Sequence, residues 1–290
     1  MRDKKISIVI PVLNEEGNIR TLLERIRAVF IEAAYSGEVI FVDDHSTDNT
    51  EVMIKEAISV YADFFQIRFF SKEGSRGKAQ SLIEGFSYAT HESVVMIDGD
   101  LQYPPEAIPK MVDKLFSGCD IVVANRVTHD TQLVRSFLSK SFSFIFARLL
   151  HDLDCDSQSG LKVFRRKILR EVILNPTPWT FDMEFLLSAR NYGYVIDTVE
   201  IAFSERLAGS SKLNPLKAIF EIGWSALKLK YQGRPPLLIH PESRDSMHGA
   251  GIAHNRTRFV THTTLHHDIS ALETFIPWQK AFLLGVGGIF

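Results

Sequence analysis

Val94-Val95-Met96-Ile97 runs straight into Asp98-Gly99-Asp100-Leu101-Gln102-Tyr103-Pro104-Pro105, and few folds can use such a junction. An apolar, largely β-branched run with no polar alternation reads as a strand buried on both faces. Residues i and i+2 of an extended segment point the same way, so Asp98 and Asp100 converge just past the strand end, with Gln102 as a third oxygen donor. Tyr103-Pro104-Pro105 stops the strand, because proline has no N–H for a ladder. Two carboxylates and an amide oxygen make a hard-cation site for Mg²⁺ or Mn²⁺. A solvated Asp-Gly turn is the competing reading of this stretch alone.

Other strands have the same architecture. Ile6–Ile10 is closed by Pro11, the polar turn Asn14–Asn18 follows, and Ile19, Leu22, Leu23, Ile26, Val29 and Phe30 then recur at helical spacing. Val39–Val42 runs into Asp43-Asp44-His45-Ser46-Thr47-Asp48, where Ser46 or Asp48 can cap a helix carrying Val52, Ile54, Ala57, Ile58 and Tyr61. A shorter strand, Ile67–Phe70, leads through Lys72–Lys78 to a helix with Leu82, Ile83, Phe86 and Ala89. After the Val94 strand come a helix with Ile108, Met111, Val112 and Leu115 and a fifth strand, Asp120–Ala124. Strand, polar loop and helix in repetition predict an α/β fold with a mostly parallel sheet flanked by helices. Such sheets bind ligands outside the carboxyl ends of their strands, where three of these motifs fall together.

Nucleotide motifs of other kinds are absent. No G-x-G-x-x-G follows the first strand, and Gly77-Lys78 lacks the upstream glycine and the following Ser or Thr of a P-loop. A net charge of −2 gives no whole-chain case for nucleic-acid binding. The 45% hydrophobic and 23% charged composition is that of a globular chain. Cys119 and Cys155 follow no metal or redox spacing, so reduced thiols in a cytosolic setting are expected. The first apolar run ends too early at Pro11 for a signal peptide.

Three motifs carry a family resemblance: Ile-Val-Ile-Pro-Val-Leu-Asn-Glu-Glu at 8–16, Val-Asp-Asp-His-Ser-Thr-Asp at 42–48 and Asp-Gly-Asp-Leu-Gln-Tyr-Pro-Pro-Glu at 98–106. In this order and spacing they resemble family 2 glycosyltransferases of the GT-A (Rossmann-like) fold. The third is most similar to that of polyprenyl-phosphate glycosyltransferases of the dolichyl-phosphate mannosyltransferase type. The resemblance covers residues 5 to 230. It implies that Pro11, Leu13 and Glu15 hold the nucleotide's base and ribose, and that Val42 and Asp44 read the base. It implies that Asp98, Gly99 and Asp100 meet the diphosphate, with the metal on Asp98, Asp100 and Gln102. His45 stands where the family usually has glycine or asparagine, and Leu13 where mannosyl members have tyrosine, so base and sugar stay open.

The second half is matched to the acceptor. The resemblance puts Arg126, after the fifth strand, opposite the acceptor phosphate, to which an arginine can present a forked pair of donors; a surface ion pair is the other reading. Residues 132–151 are rich in Phe and Leu with Arg135, Lys140 and Arg148 interspersed, suiting either a core helix or a membrane-facing one. Asp156–Arg166 resembles the family's Asp-x-x-x-Gly-Phe-Lys-x-Phe-x-Arg and reads as a strand bringing Gln158 or Ser159 to the site. Phe181–Phe185 begins a helix that crosses the acceptor side in the family. Arg206 and Lys212, in R-x-x-G-x-S-K, match a mobile loop reaching the donor diphosphate and lipid phosphate. Asn214-Pro215 opens a helix whose basic excess and Trp224 and Tyr231 suit anionic headgroups as well as a core position.

The expected organisation is a catalytic domain over 1–234 ending in the amphipathic helix, a linker or peripheral segment over 235–276 with six of the ten histidines, and an apolar stretch over 277–290. Ala281–Phe290 is too short to span a bilayer, which needs about 20 residues, though it could begin a span. The resemblance implies a metal-dependent inverting enzyme at the cytoplasmic face of a membrane. It would move mannose or glucose from a GDP- or UDP-hexose to a polyprenyl phosphate, with Asp100 and Arg126 central to catalysis. The alternatives are a sugar-hydroxyl acceptor, with Asp182 or Glu184 as base, and a catalytically silent membrane scaffold.

Overall fold

A computed structural model describes residues 4–127, 155–172 and 181–203. They form β1 (Lys4–Val12), α1 (Glu16–Glu32), β2 (Tyr35–Asp43), α2 (Thr50–Val60), β3 (Gln66–Ser71), α3 (Lys78–Tyr88), β4 (Ser93–Met96), α4 (Ile108–Phe116), β5 (Ile121–Val127), β6 (Lys162–Arg165), α5 (Phe181–Asn191) and β7 (Ile196–Ala202). A short 3₁₀ turn, Pro105–Ala107, precedes α4, and a single helical turn, Ile168–Glu171, follows β6. Arg206, Lys212, residues 132–151, the helix expected after Asn214 and everything from 235 onward lie outside the described residues.

The seven strands lie in the order β3-β2-β1-β4-β6-β5-β7. All neighbouring pairs are parallel except those of β6, which is antiparallel to both β4 and β5. The chain lays β2 and β3 to one side of β1, then crosses back to place β4 on the other. The order therefore reverses at β1/β4, the switch point where an open α/β sheet leaves a crevice beyond its carboxyl ends.

Both sheet faces are covered, which is why the strands lack polar alternation. Ile8, Ile10, Phe41 and Val95 enter one core with α1, α2 and α4, while Val9, Ile40, Val42, Val94 and Met96 enter the other with α3 and α5. Each fully buried Val, Ile or Leu contributes about 1.5–3 kcal/mol, so the site rests on a stiff platform. Glu38 ties the amino ends of these strands together, accepting from Ser7 Oγ (2.7 Å), Arg68 (2.8 Å) and Thr90 N–H (2.8 Å).

Most predicted elements stand, with two corrections and one addition. On α2, Ile54, Ala57 and Tyr61 are buried, but Val52 and Ile58 are 53% and 41% exposed, because the helix packs through a narrow stripe. The strand expected over 156–166 spans only Lys162–Arg165, since the preceding residues form a turn in which Ser159 N–H bonds Asp156 O at 3.0 Å. Strand β7 is an addition to the expected elements: an edge strand with few fully buried side chains, although Val199 and Ile201 alternate with Thr198 and Glu200. Among the described residues no helix is long and apolar enough to cross a membrane.

Candidate active site

The loops after β1, β2 and β4 meet at the switch point. Pro11 pairs with Val42 in the β1/β2 ladder, and Asp44 N–H bonds Val12 O at 2.8 Å beyond it. The β4 chain leaves β1 earlier, its last bond running from Ile97 N–H to Val9 O at 3.1 Å. The β4 loop is pressed against β1: a Cβ on Gly99 would lie 3.2 Å from Val12 Cγ1 and 3.6 Å from Pro11 O. Pro11, Leu13, Glu15, Asp44, Asp98, Gly99, Asp100 and Gln102 thus share one edge. Val42 shares it by backbone only; its side chain is buried in the α3-side core.

Hydrogen bonds staple the first two loops together. Asn14 N–H bonds Ser46 Oγ (2.8 Å), Thr47 N–H bonds Asn14 Oδ1 (2.7 Å), and Glu15 N–H bonds Thr50 Oγ1 (2.8 Å). Asp48 serves the first turn of α2, accepting from Thr50 N–H at 3.0 Å, and also takes Glu16 N–H at 3.2 Å. Ser46 therefore serves α1's entry rather than α2's cap.

Asp44 is buried and held from the β3 loop. Gly77 N–H donates to its Oδ2 at 2.9 Å, and the fully buried Lys72 ammonium pairs with Oδ1. Lys72 also reaches Gly77 O (3.1 Å) and Ser81 Oγ (3.2 Å). His45 follows with a left-handed backbone, φ 63°, which explains why glycine or asparagine suits this position. Its ring nitrogen lies 2.6 Å from Gly74 O, and Arg76 donates to its carbonyl at 2.9 Å. The β2 and β3 loops form one unit.

The Asp98 carboxyl lies between two neighbours. Lys78, the first residue of α3, brings its ammonium within 2.5 Å of Oδ1. On the other side the Gly160 backbone is so close that a Cβ would sit 2.5 Å from Asp98 Cγ and 2.8 Å from Tyr103 Cε2. Burial raises the Asp98 pKa; Lys78 opposes this, but the Asp100 and Asp182 charges add to it and the net shift is upward. For Lys78 burial acts downward, and the Asp98 and Asp182 carboxylates outweigh it, leaving the ammonium firmly charged. Asp100 is buried and accepts from Gln102 N–H at 3.1 Å. Asp182, in the first turn of α5, is held at 2.6 Å by Lys162, whose side chain is fully buried. Glu184, the other acid of that turn, is buried too.

Arg126 is engaged in a forked pair with Asp156: Nε bonds one carboxylate oxygen and Nη2 the other, the latter at 2.8 Å. Its guanidinium lies 5.2 Å from the Phe203 ring centroid, and Asp156 N–H bonds Asn125 Oδ1 at 2.8 Å. This pair anchors the turn that carries Gly160 to Asp98.

The site contains partners that the sequence motifs do not single out. Lys72 and Lys78 frame the β3 loop, whose sequence fails the P-loop pattern. Two lysines bracketing a glycine-rich loop at a strand's carboxyl end, beside two acidic strand ends, were the available signal. Gly160 offered only its place in the Asp-x-x-x-Gly segment.

A mixed, mostly parallel sheet with acidic and polar loops at its switch point defines an α/β fold of the GT-A, Rossmann-like class. Solved glucosyl-3-phosphoglycerate synthase from Mycobacterium tuberculosis, in complex with Mn²⁺, UDP and glucosyl-3-phosphoglycerate, shares that fold with a TM-score of 0.61 at 21% identity, over 78% of this chain and 80% of that one. Residues 7–173 match Glycosyl transferase family 2, and the chain belongs to that family. A dolichol-phosphate mannosyltransferase of Pyrococcus furiosus is 31% identical over 226 residues, 75% of this chain and 61% of the relative. An undecaprenyl-phosphate 4-deoxy-4-formamido-L-arabinose transferase of Pectobacterium carotovorum is 29% identical over 216 residues, 74% of this chain and 64% of the relative. The chain thus spans somewhat over three fifths of the length of these curated relatives.

Proposed function

We propose that this chain is a metal-dependent, inverting glycosyltransferase that moves a hexose, mannose or glucose, from a GDP- or UDP-sugar to a polyprenyl monophosphate at a membrane surface. The observation that carries this reading is the acidic pair Asp98/Asp100 with Gln102 at the β1/β4 switch point. The family membership and the polyprenyl-phosphate relatives support it.

The donor set fits Mg²⁺ or Mn²⁺. Asp98 Oδ1 is buried against the Lys78 ammonium at 2.5 Å, so the carboxyl already stands in a place that takes positive charge. Among the described residues no three acidic, histidine or cysteine side chains gather as a metal cage; Mg²⁺ held by one or two carboxylates together with substrate phosphates would not need one. Asp98, Asp100 and Gln102 would hold the ion, which would offset charge on the leaving diphosphate.

Pro11, Leu13 and Glu15 form the base and ribose side, with the backbone of Val42 and the loop that Asp44 braces. Gly99 lets the β4 loop approach β1 and the diphosphate. Arg206 and Lys212 supply further positive charge in this proposal, on motif evidence alone.

An acceptor phosphate oxygen attacks the anomeric carbon while the bond to the donor's β-phosphate oxygen breaks and the nucleoside diphosphate leaves with that electron pair. A phosphomonoester has its second pKa near about 6 and needs no proton removed at neutral pH. A hydroxyl acceptor would instead need a base, for which the candidates are Asp182, tied to buried Lys162 at 2.6 Å, and Glu184, buried in the same turn of α5. Arg126 is the acceptor-phosphate ligand in this reading, by exchange of one or both donors from Asp156.

The test is transfer from radiolabelled UDP- and GDP-hexoses, with Mg²⁺ or Mn²⁺, to a short-chain polyprenyl phosphate. Label should enter the organic phase and be lost with chelator and in Asp100→Ala. Metal-dependent label on a soluble sugar, with none in lipid, would replace this reading by the hydroxyl-acceptor one.

A further inference from the structure

Lys78 stands where a cation's charge is needed. Asp98 Oδ1 is covered, and the Lys78 ammonium is 2.5 Å from it. The other face of that carboxyl is closed by Gly160. Asp100 and Asp182 add negative charge nearby, which the Lys78 ammonium offsets at Asp98.

The two groups flanking this carboxyl differ in freedom. Gly160 is backbone, anchored through Asp156 and Arg126. Lys78 is a long side chain, 41% exposed, on the first residue of α3. Its base is fixed, because Gly77 N–H is bonded to Asp44, but its four-carbon stem can swing. The contrast with Lys72 is direct: that ammonium is fully buried, bonded to Gly77 O and Ser81 Oγ, and has nowhere to go.

We infer that Lys78 is the resident counter-ion of Asp98, that a divalent cation binds this carboxylate by displacing it, and that a nucleoside diphosphate drives the exchange by receiving the freed ammonium on its phosphates. Cation and nucleotide then bind cooperatively, each weakly alone, as the linkage of two sites through one shared side chain requires. The inference rests on the metal reading above and adds the order of events and the residue that sets it.

The test is Mn²⁺ binding to the full chain followed by electron paramagnetic resonance, without nucleotide and with UDP or GDP. Wild type should bind Mn²⁺ weakly alone and more tightly with one of the nucleotides. Lys78→Met should bind Mn²⁺ alone about tenfold or more tighter than wild type, an opposing charge at contact distance having been removed, and should lose most of the nucleotide's enhancement. Lys78→Arg should keep the wild-type pattern. Circular dichroism checks the fold, and Lys78→Gln serves if Lys78→Met is unstable. Nucleotide-free Mn²⁺ affinity unchanged or weakened in both neutral variants overturns the inference. Asp100→Ala separates it from the metal reading. If Asp100→Ala loses Mn²⁺ while Lys78→Met gains nothing, only the Lys78 inference falls. If Asp100→Ala binds like wild type, or no protein binds Mn²⁺ under any condition, both fall.

Discussion

Gly160→Ala is the sharpest probe of how the fold supports the site. The added Cβ would lie 2.5 Å from Asp98 Cγ and 2.8 Å from Tyr103 Cε2, against ordinary carbon contacts of about 3.5–4.0 Å. Something must yield by about 1 Å. The Tyr103 ring is buried and packed edge-on to Phe203 at 5.2 Å, and the Gly160 turn is pinned by the Arg126–Asp156 fork. The Asp98 carboxyl is the softer neighbour, being short, terminal and held at Oδ1 by a flexible lysine. Overpacking of this kind costs about 1–3 kcal/mol in stability. A reacting group misplaced by about 1 Å loses on the order of 100-fold in rate, so activity should fall far more than the fold does. Gly85→Ala is the matched control. Its Cβ would meet Val9 Cγ1 at 2.5 Å and Val42 Cγ2 at 3.0 Å, within the core. Urea unfolding and steady-state transfer would be measured on both variants. Gly160→Ala should lose about 100-fold in kcat/KM, and Gly85→Ala less than about threefold, at similar losses of stability. Equal activity losses in the two, or Gly160→Ala within about threefold of wild type, would refute the claim that Gly160 sets the Asp98 position.

Helix propensity favours alanine over glycine by about 1 kcal/mol within α3, yet Gly85→Ala should still lower stability, by roughly 1 kcal/mol net, because its contacts are rigid core methyls. Lys72→Met should cost about 3–5 kcal/mol in urea unfolding, since it strands the buried Asp44 carboxylate, and should raise the nucleotide's Kd by loosening the β2 and β3 loops. Glu38 should give stability an acid limb. Burial pushes its carboxyl up, but the hydrogen bonds from Arg68, Ser7 and Thr90 outweigh that and hold it below its ordinary value. A depressed folded pKa contributes stability above the unfolded value and loses it as pH falls through the folded one. The gap between wild type and Glu38→Gln in urea midpoint should therefore be full at neutral pH and close on acidification below about 4.5; a gap that does not change with pH would contradict it.

Legibility in the sequence depends on where each interaction lies along the chain. The apolar runs of β1, β2 and β4 each end in acid or proline within the same few residues, so strand, edge and ligand side are fixed locally. The helical stripes of α1 and α4 were legible because one period of apolar residues suffices to define the buried face. The antiparallel β6 was not, since a four-residue strand has no local mark of direction; its pairing with β4 and β5 is decided by the route of the whole chain. The charges that tune the site were hidden for the same reason. Lys78 meets Asp98 across 20 positions, Gly160 meets it across 62, and Lys162 meets Asp182 across 20, so none leaves a periodic or short-range trace.

The placement of these cations suggests why an acidic switch point can fold before it binds anything. Asp44, Asp98, Asp156 and Asp182 lie on or beside one sheet edge, and each is matched to a basic side chain: Lys72, Lys78, Arg126 and Lys162. Four uncompensated carboxylates in a half-buried crevice would oppose folding, because a buried charge without a partner costs several kcal/mol. Two of the four partners, Lys72 and Lys162, are fully buried and bonded to backbone or hydroxyl oxygens besides their acid, and they belong to the framework. Lys78 is the most exposed of the four at 41%, against 12% for Arg126. The most exposed cation thus sits on a carboxylate of the proposed metal site, Arg126 is the one exchanged on the acceptor side in the proposal above, and Lys72 and Lys162 are fixed. Mutating a fixed cation should therefore show first in unfolding, and mutating Lys78 first in cation affinity. A Lys78→Met protein that loses more stability than Lys72→Met would break this division.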